Sequence, residues 1–213
     1  MSRYVLITGC SSGIGYHAAK RLAQEGFCVI ASARKQEDVE RLRGEGLTAL
    51  RLDLASHDSI LAAVAQVTTL CGGRLYGLFN NGAYGQPGAL EDLPTEALRA
   101  QFESNFFGWH ELTLQILPLM LPHGEGRIIQ NSSVLGLVAM KFRGAYNASK
   151  FAIEGYTDTL RLELRGTGVQ VSLIEPGPIE SQFRANALAA LQQHIDLAHS
   201  RHAEIYQQTL SRL

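Results

Sequence analysis

What most constrains this chain is a rhythm. Short, almost continuously apolar runs alternate with longer stretches of helical period: Tyr4–Thr8, Cys28–Ala33, Ala49–Asp53, Leu75–Asn80, Arg127–Ser132 and Val169–Glu175 are the runs. A strand with one wet face alternates apolar and polar residues, so runs like these belong to strands covered on both faces, as in a parallel sheet. The stretches between them, Ile14–Glu25, Glu37–Gly44, Ser56–Leu70, Thr95–Leu121 and Gly144–Arg165, are each long enough to cross back over such a sheet. Glycine pairs at Gly124–Gly126 and Gly166–Gly168 stop the last two of these helices. The expectation is an α/β chain with a doubly wound parallel sheet, one domain over 1–213. From Ala185 onward, Leu188, Leu191, Ile195, Ala198, His202 and Ile205 recur at spacings of three and four. That is the stripe of an amphipathic helix, so 185–213 is expected to pack on the core or to cover a substrate cleft.

Composition narrows the partners. At 213 residues, 46% of them hydrophobic, the chain can bury a core without crosslinks. A net charge of -1 with no long basic run gives no support for a nucleic-acid partner. No apolar run approaches the ~20 residues of a membrane span; "LTLQILPLMLP", the nearest, carries two prolines. Cys10, Cys28 and Cys71 are odd in number and far apart, and Met1 and Ser2 lead directly into "RYVLIT" without a secretory leader, so a reducing cytoplasm is expected. His194, His199 and His202 have no metal-ligand spacing, and no metal is expected.

The first strand run passes into "TGCSSGIG", which sets Gly9, Gly13 and Gly15 before a helix. Glycines there permit a tight turn and close backbone approach to a diphosphate, while the N–H groups of a helix N-terminus meet its charge. A dinucleotide reader usually ends its second strand on an acid that grips the ribose diol. Here "VIASARK" ends in Arg34 and Lys35. Two cations suit a 2'-phosphate, so NADP(H) is expected over NAD(H). Farther on, "AYNASKF" sets Tyr146 four residues before Lys150, one helical turn, so both polar tips leave the same face. Ser133 lies just past the fifth run, at the carboxyl edge where ligands of open α/β sheets bind.

These residues resemble the short-chain dehydrogenase/reductases of compact single-domain type, through "TGCSSGIG", Asp53, "NNGA" at Asn80, "NFFG" at Asn105, "NSSVLG" at Asn131, "YNASK" and "IEPGPI" at Ile174. Within that family the chain looks most like hydroxysteroid and retinol dehydrogenase-like reductases. The resemblance implies a Rossmann sheet of strand order 3-2-1-4-5-6 and a catalytic set of Asn105, Ser133, Tyr146 and Lys150. It implies that Gly9, Ser11, Ser12, Gly13, Ile14 and Gly15 hold the diphosphate, and that Asp53 and Leu54 flank adenine. It further implies that Asn80 and Gly82 lie along the nicotinamide, and that the backbone of Pro176, Gly177 and Ile179 touches the carboxamide. Asn105 would hold a water linking Lys150 to solvent, and helices bearing Trp109 and Tyr146 would pack across a dimer or tetramer axis. The chain departs from the family in "NNGA" for "NNAG" and in lacking the family's final strand.

Chemically, a phenol of pKa ~10 needs nearby positive charge to exchange protons near neutrality, and Lys150 is placed to supply it. The implied activity is NADP(H)-dependent interconversion of a carbonyl and an alcohol, with Tyr146 as general acid/base and Ser133 donating to the substrate oxygen. The rival is a non-catalytic nucleotide-binding sensor or scaffold on the same fold. Leu137, Val138, Met140, Phe142 and Phe183 suggest a lipophilic substrate such as a steroid, retinoid or long-chain aldehyde.

Overall fold

A computed structural model describes residues 2–210; Met1 and the last three residues of the expected 185–213 segment lie outside the described residues. Strands β1 (Tyr4–Ile7), β2 (Cys28–Ala33), β3 (Thr48–Arg51), β4 (Gly77–Asn80), β5 (Gly126–Asn131) and β6 (Val169–Ile174) form one sheet. Its order is β3-β2-β1-β4-β5-β6 and every pairing is parallel. The reversal of direction between β1 and β4 opens the crevice at which such sheets bind ligands. Among the described residues no seventh strand follows β6.

The pleat divides the strands between two helical layers. Leu6, Ile30, Leu50, Leu78 and Ile128 point to one face, packed with Ile60, Val67, Trp109, Leu112 and Ile153. Those partners come from α3 (His57–Cys71), α5 (Gly108–Ile116) and α6 (Gly144–Glu163). Val5, Ile7, Val29, Ala31, Ala49 and Phe79 point to the other, against Ala19 of α1 (Gly13–Gln24) and Val39 and Leu42 of α2 (Gln36–Gly44). Burial on both sides is why the strand runs lack alternation. Helix ends follow local chemistry: Ser56 caps α3 by accepting from the Ser59 N–H, and Gly72 closes it at φ 61°.

Two stretches differ from the periodic reading. The single helix expected over Thr95–Leu121 is α4 (Thr95–Phe102), a π-helical turn at Glu103–Phe107, then α5, with proline-led 3₁₀ turns at Leu117–Leu119 and Leu121–His123. The tail is α7 (Phe183–His194) and α8 (Ala203–Leu210) rather than one helix. Ile195 is extended, at φ -107° and ψ 128°, and Asp196 accepts from the N–H groups of Ala198 and His199 in a turn that ends α7. Of the expected stripe, Leu191 and Ile195 are buried, whereas Ala198 and Ile205 are exposed.

The tail folds down on the Gln86–Asp92 loop. The Tyr206 hydroxyl donates to Asp92 Oδ2 at 2.7 Å and accepts from the Ala89 N–H at 2.8 Å, and Ser200 donates to the same carboxylate at 2.6 Å. His194 pairs with Gln86 and His202 with Glu91, so each has a partner of its own on this loop.

Candidate active site

A cavity of 320 Å³ opens at the carboxyl ends of β1, β4 and β5. The glycine loop forms one wall, Asn81–Ala83 the floor, Asn131–Leu135 with Tyr146 and Lys150 the opposite wall, and Pro176–Ile179 with Phe183 the cover. Of the expected site residues it gathers Gly9, Ser11, Ser12, Gly13, Ile14, Gly82, Ser133, Tyr146, Lys150, Pro176, Gly177 and Ile179.

Gly9 is fixed by both conformation and contact. Its φ is 69°, and a Cβ there would stand 2.5 Å from the Gly82 Cα. Ser12 is the extended N-cap of α1, makes no side-chain capping bond, and is followed by no acid in the first turn. The first turn of α1 thus takes no cap from the Ser12 side chain, and its N–H groups could hold an anion. Gly15 serves packing: a Cβ there would sit 2.4 Å from Asn81 Nδ2, behind the cavity wall.

A polar chain ties this loop to the lysine. Thr8 Oγ1 accepts from the N–H groups of Asn81 and Gly82, both at 2.8 Å. Asn81 Nδ2 donates to the Thr8 carbonyl at 2.8 Å, Asn131 Nδ2 donates to Asn81 Oδ1 at 2.8 Å, and Lys150 Nζ donates to the Asn131 carbonyl at 2.7 Å. Asn81 and Asn131 were missing from the sequence-derived set. Asn80, expected along the nicotinamide, is instead fully buried, donating to Thr113 Oγ1 and Gln130 Oε1. Successive strand residues face opposite ways, so of two adjacent asparagines only one reaches the cavity.

Tyr146 and Lys150 leave the same face of α6, and Nζ lies 5.5 Å from the phenol ring centroid. Their electrostatics differ from the expectation. Burial pushes Lys150 down to about 7, with Glu154 one turn on opposing the shift. Burial raises the Tyr146 phenol, and its hydrogen bond with Ser133 acts the other way. The buried lysine therefore does not pull the phenol below its ordinary value, because the same burial weakens the ammonium. Ser133 Oγ accepts from the Leu135 N–H at 3.1 Å, which holds the hydroxyl at the cavity wall.

Asn105 lies in the π turn, fully buried. Its amide clamps the Tyr84 backbone from both sides: Oδ1 accepts from the N–H at 3.2 Å and Nδ2 donates to the carbonyl at 2.9 Å. Leu54 is buried below Gly82, and Asp53 accepts from the Ala55 N–H in the loop after β3. Arg34 and Lys35 are exposed just past β2. Met140 and Phe183 line the cavity, Phe183 edge-on to Tyr146 at 5.5 Å. Leu137 and Val138 are exposed and outside its lining, and Phe142, at φ 60°, turns its ring to His202 and Tyr206.

A doubly wound sheet with a glycine cradle and a Tyr–Lys pair at its switch point defines a nucleotide-binding oxidoreductase fold. The chain belongs to the short chain dehydrogenase family, which it matches over residues 3–192. It is 50% identical over 186 residues, 87% of this chain and 69% of that protein, to the uncharacterized oxidoreductase YbbO of Escherichia coli (strain K12). It is 39% identical over 197 residues, 88% of this chain and 62% of that protein, to retinol dehydrogenase 8 of Homo sapiens. A short chain dehydrogenase/reductase from Burkholderia phymatum in complex with NAD superposes with a TM-score of 0.86 at 25% identity, covering 99% of this chain and 78% of that one. Fold and family together support an oxidoreductase that uses a nicotinamide nucleotide. Among the described residues no helix is long and apolar enough to cross a membrane.

Proposed function

We propose that the protein is an NADP(H)-dependent reductase that interconverts a carbonyl and an alcohol, with Tyr146 as the general acid/base. The observation that carries this reading is that Ser133, Tyr146 and Lys150 converge on the cavity that the glycine loop walls. The residues present fit the nucleotide: an uncapped helix N-terminus faces the cavity, and Gly9 and Gly82 leave backbone where side chains would stand. A bound nicotinamide supplies the hydride.

The chain's own part is the proton. Tyr146, held protonated by burial, donates to the substrate oxygen in reduction, and Ser133 donates a hydrogen bond to the same oxygen as charge develops there. Lys150, poised near neutrality by its burial, steadies the phenolate left behind. Asn105 fixes Tyr84 and so shapes the loop beyond Ala83.

Arg34 and Lys35, exposed where an acid would otherwise meet the ribose, favour the phosphorylated cofactor. Val134, Leu135, Met140, Ile179 and Phe183 give the cavity apolar walls suited to a lipophilic carbonyl, in line with the name of the human relative. Exposed Phe107 and Leu114 near α5, and Phe151 and Leu162 on α6, favour a homodimer or homotetramer. Cysteines Cys10, Cys28 and Cys71 are all free, in keeping with a cytoplasmic protein.

In Tyr146→Phe, NADPH binding should persist while carbonyl reduction falls by on the order of 10²- to 10⁴-fold. Retained turnover would reject the role. Arg34→Asp should cut the NADPH-to-NADH affinity ratio by roughly 10- to 100-fold, and an unchanged ratio would reject the cofactor assignment.

A further inference from the structure

Lys150 Nζ is an ammonium with three donors, yet among the described residues its one hydrogen bond goes to the Asn131 carbonyl. Glu154, the nearest acid on α6, has its Oε1 engaged by the Ser132 hydroxyl and acts on the lysine through its charge. What remains against Nζ is two rings, the indole of Trp109 with its centroid 4.4 Å away and, farther off, the phenol of Tyr146 at 5.5 Å. Both side chains are buried, Trp109 at 0% and Lys150 at 1% exposure. A cation over an aromatic face is attracted most strongly when both are dry, and among the rings tryptophan holds a cation best.

The indole is also held in place. Its Nε1 donates to the Gly82 carbonyl at 2.8 Å, on the cavity floor, which fixes the tilt of the ring. The helix can come this close because Gly108 precedes it: a Cβ at Gly108 would lie 2.0 Å from the Leu54 carbonyl oxygen. Core packing alone would accept any large apolar side chain at position 109. The pairing with a buried ammonium and the single directed hydrogen bond ask for an indole.

We propose that Trp109 is a positioning residue, whose ring face holds the side chain of Lys150 in its charged form beneath the cavity. The proposal rests on the catalytic reading of Lys150 only for its effect on turnover. Titratable groups on the elements packed around the pair are Tyr146, Glu154, Tyr156, Asp158, Arg161 and Glu163 on α6, Glu103 in the π turn, His110 and Glu111 on α5, and His57, Asp58 and Cys71 on α3. A test must therefore read Lys150 itself.

Lysine labelled at Cε can be followed by NMR against pH, with Lys20, Lys35 and Lys141 as internal references for the folded protein. The wild-type Lys150 signal should titrate at about 7. Trp109→Phe, which keeps a ring face, should stay close to that value; Trp109→Leu should titrate about one pH unit lower, because the charged form has lost its support. A Trp109→Leu midpoint equal to wild type would overturn the proposal. Should Trp109→Leu fail to fold, the wild-type fluorescence decides, since Trp109 is the only tryptophan in the sequence. Its emission should titrate with the midpoint of Lys150 and lose that transition in Lys150→Met. A transition that survives Lys150→Met, or none in wild type, would overturn the proposal. Unchanged turnover in Lys150→Met would instead sink the catalytic reading and leave the Trp109 result standing.

Discussion

Replacing Lys150 by methionine should change how stability depends on pH, and the change has a definite sign. Burial lowers the lysine from its ordinary 10.5 to about 7 in the folded protein. Between those values the unfolded chain carries a proton that the folded chain does not, so protonation favours unfolding and stability rises with pH across the window. Folding below pH 7 requires a charged lysine in the core. With a folded value near 7, the contribution between pH 7 and pH 9 integrates to about 2 kcal/mol of added stability for the wild type. Methionine keeps the unbranched stem and removes the titration. Tyr84, Tyr146 and Tyr156 are raised by burial and add their own pH dependence at higher pH, and Cys10, pushed up to about 12, is present in both proteins. Tyr84, Tyr156 and Cys10 cancel in the difference between wild type and variant, and Tyr146, raised above its ordinary 10, stays protonated in both from pH 7 to pH 9. Urea unfolding at pH 7, 8 and 9, without added nucleotide, measures it: the wild-type curve should climb relative to Lys150→Met. Parallel curves would refute the burial argument, and with it the account of a lysine poised near neutrality.

Two further substitutions probe the scaffold. Gly9→Ala places a methyl group 2.5 Å from the Gly82 Cα at a left-handed backbone position, so urea unfolding should show a loss of about 2–5 kcal/mol together with weakened nucleotide binding. An alanine variant as stable as wild type would show that the two loops do not touch. Tyr206→Phe strips Asp92 of a donor and leaves the buried Ala89 N–H without its acceptor, which should cost about 1–3 kcal/mol in the same assay. A loss below roughly 0.5 kcal/mol would mean that the tail is not fastened through this hydroxyl.

The sheet was readable because its strands are sandwiched: Cys28–Ala33 coincides residue for residue with the observed β2, and the other runs differ at their ends. The glycine loop was readable because its chemistry is local. What escaped depends on parity or on one extra residue. Asn80 and Asn81 are the same residue type in adjacent positions, and which of them faces the cavity is set by the pleat of β4, whose end the sequence does not mark. The π turn keeps helical composition, so periodicity runs through it unbroken. In the tail a signal was present, since Asp196 and Ser200 are turn formers inside the apparent stripe. The depressed lysine was hidden too: spacing placed Lys150 beside Tyr146, but only three-dimensional burial shows how little water reaches it.

The five-residue turn at Glu103–Phe107 also sets the phase of everything after it. One residue of an α-helix spans about 100° of rotation, and a π turn takes up one residue more than an α turn. Were the same residues wound as an unbroken α-helix, Trp109, Leu112 and Ile116 would swing about a quarter of a revolution away from the interior they fill. The widened turn between Phe102 and Gly108 is thus a gear setting: it takes up one link more than a plain helix would and keeps the spiral beyond it in step with the interior.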